Sequence, residues 1–192
     1  MPFFDDRVFL YADQALPWGL TLAAAEAALP TATRLPTYGG WPTLRCRCPS
    51  AYGLATTACS LRAPGRSKPV LQASYQLAPP PHRGPYVIDP TYWLAPLTQL
   101  LGPPSTAGSS AGPSTSSNVV HWATWQRPTV LVSLSVFGGL RKDDGAVSAA
   151  GLYLDWQDEW TAAQPSQAAA LAQSAALAAR VGAASLPLLF AT

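Results

Sequence analysis

The same order of segments occurs twice along the chain. An apolar stretch, Val8-Phe9-Leu10-Tyr11, is followed by a helix-like Thr21-Leu22-Ala23-Ala24-Ala25-Glu26-Ala27-Ala28-Leu29 and three strand-like segments ending at Tyr75-Gln76-Leu77. Then come Tyr86-Val87-Ile88, a short helix around Leu94 to Leu101 closed by Gly102, and three strands ending at Leu152-Tyr153-Leu154. Val8 and Val87, Leu29 and Leu101, and Tyr75 and Tyr153 stand 79, 72 and 78 positions apart. Such steady spacing is the mark of an internal duplication. The expected fold is α+β: two tandem modules, each a helix packed on an antiparallel sheet of three to four strands, plus a C-terminal helix. The first module spans 1–80 and the second 81–192, with Pro79-Pro80-Pro81 at the boundary. Within the second, a low-complexity loop is expected over 103–117 and the C-terminal helix over 166–184, covering one sheet.

Local chemistry supports these elements. The Thr21 hydroxyl is placed to cap the first helix, Leu22, Ala25 and Leu29 fall on one face, and Pro30 stops it. In the second helix Pro96 is tolerable in the first turn, where its missing N–H is not needed, so a short helix is expected, ended by Gly102 with Pro103 and Pro104. The strands alternate with a period of two. Leu44, Cys46 and Cys48 point one way and Arg45 and Arg47 the other; Leu71, Ala73, Tyr75 and Leu77 alternate with Gln72, Ser74 and Gln76. Val130, Val132, Leu134 and Val136 alternate with Ser133 and Ser135, and Leu152, Leu154 and Trp156 with Tyr153 and Asp155. Arg141-Lys142-Asp143-Asp144-Gly145 reads as a polar hairpin loop.

Composition narrows the function. Of 192 residues 48% are hydrophobic and 11% charged, with seven tryptophans and a net charge of +2, which describes a chain with a core rather than a charged tail protein. Met1 to Arg7 carries Asp5 and Asp6 where a secretory signal needs a basic and then an apolar run. Gln164, Pro165, Gln167, Gln173 and Arg180 interrupt Ala162 to Ala184 too often for a membrane span. Three cysteines leave one unpaired in any monomeric disulfide scheme, which suits a reducing compartment. A cytoplasmic protein without a membrane partner is expected.

Few residues carry chemistry. Cys46 and Cys48 share a strand face that Cys59 could oppose, a geometry open to a three-thiolate metal site, but no fourth ligand stands nearby and small buried hydrophobes are the favoured reading. His82 lies in the proline-rich linker and His121 in Val119-Val120-His121-Trp122; neither sits in a nucleophile motif, and no phosphate loop or dinucleotide fingerprint occurs. No cofactor is called for. Between Glu26 and Asp89 there are seven basic residues, Arg34, Arg45, Arg47, Arg62, Arg66, Lys68 and Arg83, and no acid. That half suits an anionic partner, although aromatics do not interleave with the arginines as in a single-strand binder, which disfavours nucleic acid. The run Asp155-Trp156-Gln157-Asp158-Glu159-Trp160 has the composition of an interface hot spot. Trp156 is expected in the core by its alternation. Asp155, Asp158, Glu159, Trp160, Arg141, Lys142, Arg45 and Arg47 form the candidate partner-binding set.

Gly19-Leu20-Thr21 opening a helix that closes with Ala28-Leu29-Pro30, followed by a strand meander, resembles the helix-plus-sheet modules of BamE-like proteins. Two such modules in a short chain also look like immunity proteins of interbacterial toxin systems, including those tied to type VI secretion. That resemblance implies a non-enzymatic protein that binds a cognate toxin or effector and occludes its active site. It carries no site residues across, because each immunity protein binds with the surface its own toxin demands. The lipoprotein cysteine of the outer-membrane members is absent. The alternatives are a small hydrolase or transferase using His121, and a structural or secretion-accessory protein that self-associates through a sheet edge.

Overall fold

The computed structural model describes residues 4–12, 14–29, 31–38, 40–80, 89–109, 119–143 and 146–157. The chain divides into two units, Met1–Trp160 and Thr161–Thr192, and every described residue belongs to the first. The elements are strands β1 (Val8–Tyr11) and β2 (Gln14–Pro17), helix α1 (Leu22–Ala28), and strands β3 (Thr33–Tyr38), β4 (Trp41–Arg47), β5 (Ser50–Ala51), β6 (Leu54–Arg62) and β7 (Gln72–Leu77). Helix α2 (Thr91–Leu101) and strands β8 (Thr106–Ser109), β9 (Val119–Gln126), β10 (Val130–Asp143) and β11 (Ala146–Trp156) follow. The architecture is mainly antiparallel sheet with two helices, an α+β fold low in helix.

One sheet runs β3-β4-β6-β7-β11-β10-β9-β8, with β5 pairing β6, while β1 and β2 form a separate hairpin. Strands that follow α1 occupy one half and strands that follow α2 the other. The antiparallel pairing of β7 with β11, from Leu77↔Ala150 to Gln72↔Asp155, joins them into one continuous sheet.

The first helix forms as its sequence requires. Thr21 is extended at φ −71°, and its hydroxyl accepts from the Ala24 N–H at 3.2 Å. Leu22, Ala25 and Leu29 are buried. The second helix departs from expectation. It begins at Thr91, three residues early, because the Asp89 carboxylate accepts the Thr91 N–H (2.9 Å) and Trp93 is drawn into the core at 1% exposure. Pro96 therefore sits inside the helix rather than in its first turn. Gly102 closes it at φ 84°.

Two edge strands also differ from expectation. Thr33–Tyr38 and Thr106–Ser109 pair with β4 and β9, so the segment expected as a loop over 103–117 contains strand β8. Gly108 is suited to that strand because the Trp122 ring lies over it: a Cβ there would come within 2.7 Å of Cζ2. Similarly, Arg141 and Lys142 are not in a hairpin loop. They continue β10 past a register shift after Val136 and pair with Ser148 and Val147. The expected strand at Tyr86-Val87-Ile88 and the helix over 166–184 lie outside the described residues.

The core lies on one sheet face. Leu44, Cys46, Cys59, Leu61, Ala73, Tyr75, Val132, Leu134, Leu152 and Leu154 pack with Phe9, Leu16 and Trp18 of the hairpin region, Leu22 and Ala25 of α1, and Trp93, Leu97 and Leu101 of α2. Each fully buried Leu contributes about 1.5–3 kcal/mol by leaving water. Trp156 is half-buried at the margin of this core and stacks on Trp18 (6.2 Å, 20°). An isolated two-stranded hairpin is marginal in water. Here polar bonds fasten it: Tyr75 Oη donates to Leu10 O (2.6 Å) and Thr129 Oγ1 to Asp6 O (2.9 Å), while Trp18 Nε1 closes its base by donating to Asp6 O (3.1 Å).

Candidate partner-binding face

Period-two alternation sends every second side chain to the other face of the sheet, which is polar. The register aligns these residues into rows that cross the whole sheet. Thr33, Arg45, Ser60, Ser74, Tyr153, Ser133, Thr124 and Thr106 are successive cross-strand partners from one edge to the other. Seven of these eight carry a hydroxyl. On one side runs Arg47, Ala58, Gln76, Gly151, Ser135, Trp122 and Gly108; on the other, Thr43, Arg62, Gln72, Asp155, Leu131 and Gln126. Among the described residues, the buried side chains of both helices pack on the opposite face.

The rows bring together candidate residues far apart in sequence. Arg45, Arg47 and Asp155 share this face. β4 and β11 are three strand spacings apart, so Arg45 and Asp155 lie on the order of 14 Å from each other across the sheet. Glutamines brace the arginines between them. Arg45 Nη2 donates to Gln76 Oε1 (2.6 Å), Arg62 Nη1 to Gln72 Oε1 (3.3 Å), and Gln72 Nε2 to Asp155 Oδ1 (2.7 Å). A planar guanidinium held by an amide is fixed in one orientation on the face. Burial pushes the Asp155 carboxyl above its ordinary value, with the Gln72 bond and the Arg62 charge pulling the other way.

Arg45 and Arg47 edge a shallow depression of about 280 Å³ whose other walls include Thr31, Thr33 and Thr57. Two cationic forks among hydroxyls are suited to carboxylate or phosphate groups. Arg34 and Arg66 of the basic run are engaged elsewhere. Glu26 bridges Arg34 and Arg66, each at 2.6 Å, so the acid that opens the acid-free stretch neutralises two of its cations. The guanidinium of Arg34 is the main reason the Glu26 carboxyl titrates below its ordinary value.

The rest of the candidate set is not assembled here. Asp158, Glu159 and Trp160 lie outside the described residues. Arg141 and Lys142 stand at the far end of β10, beyond the irregularity that follows Val136. His121 shares the parity of the buried Ala123 and Trp125, which puts it on the core side, away from this face; its Nε2 is buried with no partner. The three cysteines are buried free thiols, with Cys46 directly opposite Cys59. Among the described residues no three His, Cys, Asp or Glu side chains converge as metal ligands, and no helix is long and apolar enough to cross a membrane.

Sequence reasoning missed Arg62, Gln72, Gln76, Tyr153 and Trp122 as members of one surface. The alternation of Gln72, Ser74 and Gln76 against buried neighbours was the available signal, but only the register reveals which strands they meet. Trp122 is 40% exposed on this face. No protein-family model, curated protein or solved structure matches the chain.

Proposed function

We propose that this chain is a non-enzymatic binding protein, an immunity protein that neutralises a cognate bacterial toxin by covering its active site. The carrying observation is the polar sheet face, on which Arg45, Arg47 and Arg62 stand among glutamines and hydroxyls, with Arg45 and Arg62 braced by Gln76 and Gln72. A broad, rigid surface needs little ordering on association, so binding energy is not consumed in arranging loops. Cations set in such a surface steer an acidic partner and fix its register. In this reading the two halves are tandem helix-plus-sheet modules. The α1 and α2 halves contribute β3-β4-β6-β7 and β8-β9-β10-β11, which meet at β7 and β11. The tandem arrangement widens the face beyond what one module offers. The protein acts in the cytoplasm, where a toxin entering a sister cell would meet it.

The test is co-expression with the product of the adjacent gene, scored by growth rescue and by the affinity of the purified pair. Wild type is expected to rescue growth and to bind with a salt-sensitive Kd. The Arg45→Glu, Arg47→Glu, Arg62→Glu triple variant is expected to weaken binding by at least about tenfold while retaining its far-UV spectrum. Full affinity in that variant would remove this face as the interface, and absence of rescue by wild type would remove the immunity assignment.

A further inference from the structure

A second feature lies on the core side of the sheet, away from the proposed interface. Among the described residues two non-glycine residues have left-handed backbone, Ala12 at φ 51° and Tyr52 at φ 55°. Both line the same cavity, about 450 Å³, between the β1–β2 hairpin, the β5–β6 turn and the last turn of α2. Side chains avoid this backbone region, and residues held there persist where their surroundings over-determine them, as at ligand clamps. Tyr52 and Gly53 (φ 75°) are the central pair of a two-residue turn between Ala51 and Leu54, a position where asparagine would sit without strain. Tyr52 is fixed there by its neighbours. Its Oη accepts from the Leu10 N–H (3.2 Å), and its ring packs edge-on against Tyr75 (5.8 Å) and tilted against Phe4 (5.5 Å). Ala12 is fixed likewise, its N–H donating to Cys48 Sγ (3.3 Å).

The cavity falls within the usual size of small-molecule sites. Val8, Leu10, Ala51 and Leu100 give it apolar walls, and among the described residues of its lining Asp5 supplies the carboxylate. Asp5 accepts three bonds from Arg7, on the backbone N–H (3.0 Å), Nε (3.0 Å) and Nη2 (3.1 Å), but the Arg7 side chain is 80% exposed. An ammonium on this carboxylate takes the place of the Arg7 fork, whose guanidinium turns into the solvent it already faces. We propose that this cavity binds a small amphipathic amine, its hydrocarbon body between the hairpin and the β5–β6 turn and its ammonium on the Asp5 carboxylate.

Calorimetric titration of the full chain with 2-phenylethylamine, 2-phenylethanol and 3-phenylpropanoate tests this directly. The amine is expected to bind saturably at millimolar concentration or below, more tightly than the alcohol, with the acid weakest. Asp5→Asn should weaken the amine about two- to fivefold, the range of an exposed ion pair, and leave the alcohol unchanged. Ala15→Trp should abolish binding of all three, since Ala15 lines the cavity from an exposed position on β2 where a larger side chain leaves the core intact. No saturable binding, an acid as tight as the amine, or undiminished amine binding in either variant would overturn the proposal.

Discussion

Replacing Tyr75 with phenylalanine removes one oxygen from a fully packed core and tests how the hairpin is held to the sheet. Tyr75 is 1% exposed, and its hydroxyl donates to the Leu10 carbonyl at 2.6 Å. Leu10 belongs to β1, which has no backbone pairing with the large sheet. The substitution forfeits a bond contributing about 0.5–1.5 kcal/mol and leaves a half-buried carbonyl without that donor, for a combined loss of about 2 kcal/mol. For a unit of this size, each kcal/mol moves the melting midpoint by about 2–4 °C, so a fall of about 4–8 °C is expected. Urea denaturation should show a lower midpoint with an unchanged slope. Hydrogen exchange should show faster exchange in β1 and β2 than in β6 and β7. A loss below about 0.5 kcal/mol, or exchange that accelerates equally throughout, would refute the view that this phenol is a principal fastening of the hairpin.

Three further outcomes follow from the geometry. Thr21→Ala should cost about 1 kcal/mol by leaving the Ala24 N–H without its cap, measured by thermal melting, with Thr21→Ser restoring most of it. Asp155 carries a folded-state pKa raised above 3.8, so its contribution to stability is present below that value and is lost as pH rises through the folded pKa; Asp155→Asn, which keeps an acceptor for Gln72, should melt higher than wild type at neutral pH, and the difference should shrink below pH 3.8. Burial pushes the Cys46 thiol up to about 11 and the Cys59 thiol well above its ordinary range, in each case with Cys48 nearby adding to the shift. Neither should react with a thiol reagent faster than the protein unfolds.

Much of the architecture was legible locally. Thr21 and the Leu22, Ala25, Leu29 stripe specify α1, and alternation along 44–48, 71–77 and 130–136 separates core from polar face without knowledge of any partner strand. The start of α2 was signalled by Asp89-Pro90-Thr91, an acceptor and a proline at a helix entrance, which outweighed the reading of Pro96 as a first-turn residue. The edge strands β3 and β8 were hidden because edge positions lack two packed faces. In β8 the residues Thr106-Ala107-Gly108-Ser109 carry no apolar alternation, and the strand is stabilised by pairing with β9 and by the ring of Trp122. The polar face was only half legible. Arg45, Arg47 and Asp155 could be named one by one, yet the bond from Arg45 to Gln76 and the chain from Arg62 through Gln72 to Asp155 depend on strand pairings that composition and spacing do not encode.

A partner seated on the polar sheet face would lie within reach of a probe set there. A photo-crosslinking amino acid placed at Ser74, in the middle of the hydroxyl row, compared with one at Tyr92, 45% exposed on α2, tests it most directly in cells that carry the adjacent gene. A stoichiometric crosslink is expected from Ser74 to one protein whose toxicity the chain suppresses, and none from Tyr92. A partner that suppression identifies but that crosslinks through Tyr92 and not Ser74 would contradict it.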